Sequence, residues 1–452
     1  MLYAWWKWLR DRRNRLWVTP MVTALLAVLL AFASKWIGSN WSPERLPEIE
    51  PQTIDALLTV IATSMLAVAT FSLGILAAAL TNASSSATPR ATELLMGDRS
   101  ARDAIGSFMA AFVYAMVAKT ALSLGYYGPS GHFVLFVSTV GVLVYLVLRL
   151  LLWVRTLSTL GLVGDSVGRL QAVAHQALQQ YQSAPCMGAR PAAQGADAHN
   201  AADHRRVAVF HHDIGYLRNL NMQGLQDMAE AIDAQVDVQL RPGAFVDPSQ
   251  PLAYVQCADG APLPSDCEDA LRAACLIGQT RSYDQDPRFG LIALSEVAQR
   301  ALSPAVNDPG TAIQVLASMT TVILESRARA RSDTRSHTRE GSRKGSSNGS
   351  GEDGVRYGRV SLPALDEADL VNDGFAPIAR DGADKIEVAI RLQKMLALLA
   401  SGGSPAVCQA ARLQARLALQ HAELALRTAH DLQTLQRVHV QLFAAAGQQA
   451  PP

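Results

Sequence analysis

The chain has 452 residues, of which 49% are hydrophobic and 17% charged, and its formal net charge is +1 at pH 7. A charge so near zero argues against a dedicated nucleic-acid-binding protein, which would carry a clear excess of Lys and Arg. The five cysteines form no CxxC pair, so the sequence predicts no zinc site and free thiols. We predict no bound cofactor.

Four apolar segments fill the first third of the chain, and each reaches the ~20 residues that a helix needs to cross ~30 Å of hydrocarbon. They lie at about 16–37, 54–80, 104–125 and 132–154. The alternative, four buried helices of a soluble protein, is disfavoured because four such runs in succession are rare in soluble domains. The sequence therefore predicts a mainly α membrane protein: four transmembrane helices followed by a cytoplasmic α+β region with a small β-rich module.

The charges that flank these segments predict an orientation. Basic residues precede the first span and follow the second, whereas the loop between these two spans is acidic. The basic residues are Lys7, Arg10, Arg12, Arg13, Arg15, Arg90, Arg99 and Arg102, and the acidic ones are Glu44, Glu48 and Glu50. Lys and Arg concentrate on the cytoplasmic side. We therefore expect a multi-pass protein of the bacterial inner membrane whose N-terminus and C-terminal domain are cytoplasmic.

The remaining chain divides by composition and periodicity. We predict a transmembrane domain over 1–156, a stalk helix and loop over 157–206, a β-rich module over 207–260, a helical region over 261–326, a disordered basic linker over 327–354 and a helical region over 355–452. In the module, Val236, Val238 and Leu240 alternate with polar residues, as in a half-buried strand. We expect a small barrel or sandwich there. Helices are expected at about 267–280, 287–302, 309–326, 383–399 and 405–442.

Two stretches contain residues that could bind a ligand. His211 and His212 are adjacent, and adjacent side chains on a strand point to opposite faces, so we disfavour a metal site there. The second stretch is denser and surrounds two predicted helix starts and one helix end. Its candidate residues are Asp286, Arg288, Arg300, Ser303, Asn307, Asp308 and Thr311.

This second stretch has two interpretations. Helix N-termini with arginines beside them can bind anions. Asp caps, Pro starts and Arg–Asp pairs can equally fix a tight helix–loop–helix turn, and we favour this structural interpretation. It predicts that Asp308 caps the helix that begins at Pro309, and that Arg288 or Arg300 is held by a carboxylate such as Asp286 or Asp308.

The same stretch carries a family resemblance. The sequence RALSPAVNDPGTA (Arg300 to Ala312), preceded by DQDPRFGL (Asp284 to Leu291), resembles the signature of the bacterial predicted-membrane-protein family known as domain of unknown function 2254. The basic start, the four spans and FSLGILAAAL (Phe71 to Leu80) agree with it. The resemblance implies a membrane protein and no particular activity. The Arg-, Ser- and Gly-rich linker departs from the family pattern and resembles an insertion.

Three classes of function remain open. Thr63, Thr70, Ser72 and Gly74 form a candidate pore or packing face in the second span, because small and hydroxylated residues suit close helix packing or a wetted pore. This face favours an oligomeric channel or transport-type protein with a cytoplasmic regulatory domain. The alternatives are a membrane-anchored sensor or scaffold that binds a cytoplasmic protein and, less favoured, a membrane-bound enzyme. The expected partners are the lipid bilayer, further copies of the chain and a cytoplasmic protein, with no nucleic acid.

Overall fold

The structure, a computed structural model, describes residues 25, 29, 47, 49–86, 88, 90, 99–157, 163–192, 206–258, 262–341 and 355–444. The chain divides into two compact units, which are treated separately below. The first comprises residues 1–85 and 89–165, and the second comprises residues 86–88 and 166–452. The described residues are mostly helical.

In the first unit, the structure describes three long helices, which are α1 (Pro51–Ser86), α2 (Arg99–Ser123) and α3 (Pro129–Leu157). Within the described residues, three stretches are long and apolar enough to cross a membrane: Pro51–Ala79, Asp103–Ser123 and Ser130–Leu157. They match the second, third and fourth predicted spans. The first predicted span lies outside the described residues, apart from Leu25 and Leu29.

Close packing and hydrogen bonds between helices hold α1, α2 and α3 together. Leu58 and Phe108 are fully buried in their shared core. The hydroxyl oxygen of Tyr114 on α2 lies 3.0 Å from those of Ser138 and Thr139 on α3. Lipid is as apolar as a leucine side chain, so packing and polar contacts of this kind, rather than the hydrophobic effect, join helices in a membrane.

The second unit contains most of α4 (Val163–Ser183) and two β-sheets. Its strands are β1 (Ala189–Pro191), β2 (Arg206–Phe210), β3 (Gly215–Leu220), β4 (Ala234–Val238), β5 (Phe245–Val246), β6 (Pro251–Cys257), β7 (Cys275–Gly278) and β8 (Tyr357–Leu362). One sheet has the order β1–β8–β4–β6–β2 and the other β5–β3–β7. Strand β8 runs parallel to β1 and β4, and the other pairs are antiparallel.

Two helices pack with these sheets, and six more follow. They are α5 (Met222–Ala231), α6 (Ser265–Ala274), α7 (Phe289–Leu302), α8 (Pro309–Gly341), α9 (Ala368–Asp381), α10 (Ile386–Gly402), α11 (Pro405–Ala425) and α12 (Ala429–Ala444). The side chain of Asn221 caps α5 by accepting the N–H of Gly224, and Ser404 caps α11 by accepting the N–H of Val407. Both caps satisfy amide groups that have no partner within the helix.

The β-rich module differs from its prediction in extent. The stretch 207–260 supplies most strands, but β1, β7 and β8 come from outside it. The helix expected over 267–280 ends at Ala274, because Cys275 to Gly278 form β7 and pair with β3. Pairing partners distant in sequence override local helix propensity there.

Two predicted helices also need correction, and one helix was missed. Helix α8 passes the expected end at Ser326 and reaches Gly341, since residues 327–340 are rich in good helix formers and contain no Pro or Gly. The linker expected over 327–354 is therefore helical up to Gly341, and residues 342–354 lie outside the described part. The helix expected over 405–442 is broken at Leu426, whose backbone is extended. Helix α9 was not predicted.

Candidate functional site

One exposed stripe of α1 consists mainly of small and hydroxylated residues. The exposed positions follow each other at alternating spacings of four and three, and they are Ala56, Val60, Thr63, Ala67, Thr70, Gly74, Ala77 and Thr81. This is the repeat with which helices pack along a shared seam. We call these eight residues the α1 stripe. Three of the four predicted face residues, Thr63, Thr70 and Gly74, belong to it.

The fourth predicted face residue, Ser72, lies on the opposite side of α1. Successive helix residues turn by about 100°, so Ser72 is about 200° from both Thr70 and Gly74. Its side chain is fully buried, and its Oγ has no hydrogen-bond partner in the described structure. The predicted face therefore splits into an outward stripe and one inward serine.

The hydroxyl groups of the stripe are already bonded to their own helix. Thr63 donates to the carbonyl oxygen of Thr59 at 2.9 Å, Thr70 to that of Leu66 at 3.0 Å, and Thr81 to that of Ala77 at 3.0 Å. Because each hydroxyl proton is donated to a carbonyl oxygen of α1, each hydroxyl oxygen keeps lone pairs that can accept hydrogen bonds from a neighbouring helix, water or a solute. Since these protons already have acceptors, the hydroxyl groups can face lipid without an unpaired donor.

An ion pair joins α1 to α2 near one end of the span. The Nζ of Lys119 lies 2.8 Å from Oδ1 of Asp55 and donates to Oγ1 of Thr59 at 2.6 Å. Both charged side chains are partly exposed. Ionisable side chains within a membrane-spanning segment are rare and need a partner of opposite charge. Lys119 and Asp55 are each other's partners.

The predicted ligand or turn residues of the second unit separate into two groups. Asp286 and Arg288 precede α7, whereas Ser303, Asn307, Asp308 and Thr311 follow it. A helix of 14 residues is roughly 20 Å long, so these groups cannot act on one small ligand.

Asp286, in the first group, is buried and fully paired. It is 2% exposed and accepts from Arg281, whose Nη2 and Nε lie 2.6 and 2.7 Å from Oδ2. Its Oδ1 accepts the backbone N–H groups of Arg288 and Phe289. Burial raises the pKa of Asp286, while Arg281 and the two N–H groups act in the opposite direction. Asp286 thus anchors the turn into α7.

The backbone of Gly243 lies directly against this pair. Its φ is +96°, and a Cβ placed there would lie 2.2 Å from Oδ2 of Asp286. Only glycine combines that conformation with that approach. A cleft of about 190 Å³ opens beside it, lined by Arg241, Arg281 and Arg288 among others.

Arg288 points away from Asp286 toward α9. Its Nη1 lies 2.8 Å from Asp369 and its Nε 2.6 Å from Asp373. Burial lowers the pKa of Arg288, but the hydrogen bond and charge of Asp373 and the charge of Asp369 outweigh it, so the pKa is raised. The expectation that a carboxylate holds Arg288 is confirmed, with carboxylates that lie more than 80 residues further along the chain.

The second group forms the turn between α7 and α8. Asp308 accepts the N–H of Thr311 at 3.1 Å and its hydroxyl at 2.6 Å, which confirms the predicted cap. These bonds lower the pKa of Asp308. Ser303 donates to the carbonyl oxygen of Arg300, and Asn307 has a φ of +49°, a conformation that Asn tolerates well. The interactions account for this turn without a ligand.

Arg300 behaves differently from Arg288. Its Nε is buried and lacks a hydrogen-bond partner in the part of the chain that the structure describes, and no ion pair to it is found there. An open cleft of about 620 Å³ lies at this end of α7, lined in part by Ser303, Asn307, Asp381 and Lys385. Neither cleft forms a metal site: the described residues contain no group of three His, Cys, Asp or Glu side chains that could hold a metal ion.

The sequence profile of a family described as "predicted membrane protein (DUF2254)" matches residues 13–398. The chain belongs to this family. The match includes both predicted signature segments, Asp284 to Leu291 and Arg300 to Ala312, so the resemblance seen in the sequence is confirmed. Membership also confirms a membrane protein, in agreement with the apolar helices.

Two curated relatives of this DUF2254 protein are uncharacterised proteins of Mycobacterium bovis and Mycobacterium tuberculosis. Each is 36% identical to it over 119 residues. The matched part covers 25% of this chain and 23% of either relative, so the chain spans about a quarter of their length. No solved structure matches the chain.

Sequence reasoning missed Arg281, Asp369 and Asp373. Arg281 follows β7, which was predicted as helix, so its position beside Asp286 was hidden. The two aspartates stand four residues apart, which places them on one face of a helix, but that helix was not predicted. An acidic pair at this spacing was the one available signal for a bound arginine.

Proposed function

We propose that this protein is an oligomeric channel or transport-type protein of the bacterial inner membrane, in which the α1 stripe faces the other copies. Its N-terminus and second unit lie in the cytoplasm under this proposal, and the second unit regulates the membrane part. The observation that carries the proposal is a contrast between two exposed faces within one bundle.

The exposed face of α3 has the composition expected of a surface in contact with lipid. Most of its exposed residues are large and apolar, and they include Val137, Val140, Leu143, Val144, Val147, Leu148, Leu151, Leu152 and Val154. The α1 stripe has one large residue, Val60, among eight. Small residues let helices approach closely, and outward oxygens suit water or a permeating solute.

The occupant that we propose for the stripe is α1 of a second copy of this chain. A heptad-like spacing favours packing of like helices along a seam. Closed rotational symmetry is the usual form of such assemblies, and several copies around one axis would surround a pathway that three or four helices alone could not.

Flux through liposomes tests the proposal. The full chain is reconstituted, and potassium and chloride fluxes are measured for the parent and for Gly74→Leu. Apart from the helix's own backbone near Gly74, no atom of the described residues lies within 4 Å of a Cβ built there. This change should therefore leave the protomer intact and prevent a second α1 from packing against the stripe. Gly141→Leu on α3 is the matched control, since its Cβ is equally unobstructed and exposed.

We expect flux in the parent and in Gly141→Leu, and a loss of flux and of the oligomer in Gly74→Leu. No flux in the parent, or equal flux in all three proteins, contradicts the proposal. The first predicted span of the same copy could cover the stripe instead. In that case the Gly74→Leu protein would keep its oligomeric state, and only the contact between α1 and that span would change. This result would contradict the proposal that a second copy covers the stripe.

A membrane-anchored scaffold is the second candidate, and one surface favours it. On the three-stranded sheet, Phe245 and Leu276 are more than half exposed, and Tyr216 packs edge-on against Phe245 with ring centroids 5.2 Å apart. Exposed aromatic side chains such as Tyr216 and Phe245 are of the kind enriched at protein interfaces. Capture of a defined partner that Phe245→Ser abolishes, with no flux in liposomes, would favour the scaffold.

A further inference from the structure

Two side chains, those of Ser107 and Tyr145, hold Arg149 between α2 and α3. Its Nε donates to Oγ of Ser107 at 3.2 Å, and its Cζ lies 5.9 Å from the centroid of the Tyr145 ring. The hydroxyl oxygen of Tyr145 lies 3.0 Å from the same Oγ. Ser107 itself donates to the carbonyl oxygen of Asp103 at 2.7 Å.

The hydrogen-bonding capacity of Ser107 is fully used in this network. A hydroxyl has one proton and two lone pairs. The proton goes to Asp103, so the oxygen accepts from both Arg149 and Tyr145. Because Ser107 is 5% exposed and binds Nε, it sets the orientation of the guanidinium.

Among the described residues, Arg149 has an acceptor for only one of its N–H groups. A guanidinium has five N–H donors, and one is used on Ser107. Among the residues that the structure describes, none forms an ion pair with Arg149, whereas Lys119, near the other end of α2, is paired with Asp55. An unpaired cation within a span is costly unless a counter-ion or water reaches it.

The position of Arg149 along the span indicates which counter-ion can reach its guanidinium group. Its anchor, Ser107, lies four residues inside the apolar span that begins at Asp103, which is about 6 Å along the helix. Arginine side chains at such a depth extend toward the headgroups. A phosphodiester fits the fork of two parallel N–H groups that remains free.

We infer that Arg149, oriented by Ser107 and Tyr145, forms a binding site for the phosphate of an anionic phospholipid headgroup. The site lies on the outer surface of the α2–α3 pair, at the membrane face where α3 ends. It is independent of the proposed channel, since it requires neither flux nor the α1 stripe.

Native mass spectrometry of the full chain in detergent tests this site. The probes are dioleoylphosphatidylglycerol, dioleoylglycerol, which has the same chains without phosphate, and inorganic phosphate. For Arg149→Gln we expect the Kd for dioleoylphosphatidylglycerol to rise about tenfold, the effect of losing a charge-assisted hydrogen-bond pair. Arg149→Lys should recover part of the affinity, because it keeps the charge and loses the fork.

Arg155→Gln is the matched control. Arg155 is exposed on the same helix, two residues from its end, and removing it takes away the same charge without touching Ser107. We expect a change below about twofold for this variant, since it would report only the general attraction of anionic lipid. A loss equal to that of Arg149→Gln would overturn the site.

Three other results would also overturn it. The first is equal binding of dioleoylglycerol, which would mean that the acyl chains alone are recognised. The second is displacement of the lipid by inorganic phosphate at millimolar concentration, which would make this a site for free anions. The third is parent-like affinity in Arg149→Gln. If that variant does not fold, Ser107→Ala decides: weakened binding supports the site, and unchanged binding refutes it.

Discussion

Asp286 pairs with Arg281, five residues before it, while Arg288, two residues after it, reaches Asp369 and Asp373 on another helix. Three ion pairs therefore surround the start of α7: one joins Asp286 to Arg281, and two join Arg288 to α9. A buried carboxylate that is paired with a largely buried arginine, accepts from two backbone N–H groups and contacts a glycine is a structural anchor.

The first prediction concerns this anchor. Asp286→Ala should lower the free energy of unfolding by about 3 kcal/mol or more, because it leaves the largely buried Arg281 without a counter-ion. Replacing both partners, as in Arg281→Met with Asp286→Leu, should cost less than Asp286→Ala alone. Chemical unfolding in detergent measures this. Asp284→Ala, an exposed neighbour, serves as control and should change stability by less than about 1 kcal/mol. A parent-like Asp286→Ala would show that the pair is not an anchor.

A second prediction isolates the backbone requirement at Gly243. Gly243→Ala should destabilise the protein by about 1 kcal/mol or more, since it combines a strained φ of +96° with a clash against Asp286. Gly358→Ala on β8 is the comparison, because its φ is not in the left-handed region and its nearest neighbour atom is 4.0 Å away. That control should be neutral or slightly stabilising in the same unfolding assay. Equal effects of the two changes would rule out a special role for Gly243.

The cap of α8 gives a pH-dependent prediction. Asp308→Ala should cost roughly 0.5–2 kcal/mol at pH 7, as other helix caps do. The pKa of Asp308 is lowered in the folded state, so its ionised form contributes stability above the unfolded pKa of about 3.9, and this is lost as pH falls through the folded pKa. The difference between parent and variant should therefore shrink below about pH 4. A difference that stays constant down to pH 2 would exclude the carboxylate as its source.

The orientation in the membrane is open to a direct check. A reporter fused after Asp165 should be active only in its cytoplasmic form, and one inserted near Glu48 only in its periplasmic form, because basic residues flank the proposed cytoplasmic side. The two fusions control for each other. A periplasmic signal after Asp165 would reverse the proposed topology.

Local patterns were predictable from this sequence, and long-range pairing was not. Three spans and the Asp308 cap depend on neighbouring residues, so hydropathy and capping rules found them. Helix α9 contains Gly374 and Pro377, which weaken its helical signal, and it is stabilised by packing of Phe375 and Ile378 in the core. The carboxylates that pair with Arg288 lie on that helix. The sequence therefore identified Arg288 as a paired residue, but it suggested Asp286 or Asp308 as the partner instead of Asp369 and Asp373.

The same limit explains the split of the predicted pore face. Composition marked Thr63, Thr70, Ser72 and Gly74 as one small and hydroxylated group. Helical spacing places Ser72 opposite the other three, and only the packing of α1 in the folded unit shows which of its sides is buried. The α1 stripe could therefore be defined only after the bundle was known.

Electron microscopy of the purified full chain can show whether copies assemble through the α1 stripe. We expect a particle of several copies with rotational symmetry, in which α1 is the described helix nearest the axis and Thr63, Thr70 and Gly74 face it. A particle with one copy, or a symmetric one in which the α1 stripe faces detergent and α3 lines the axis, would contradict this proposal.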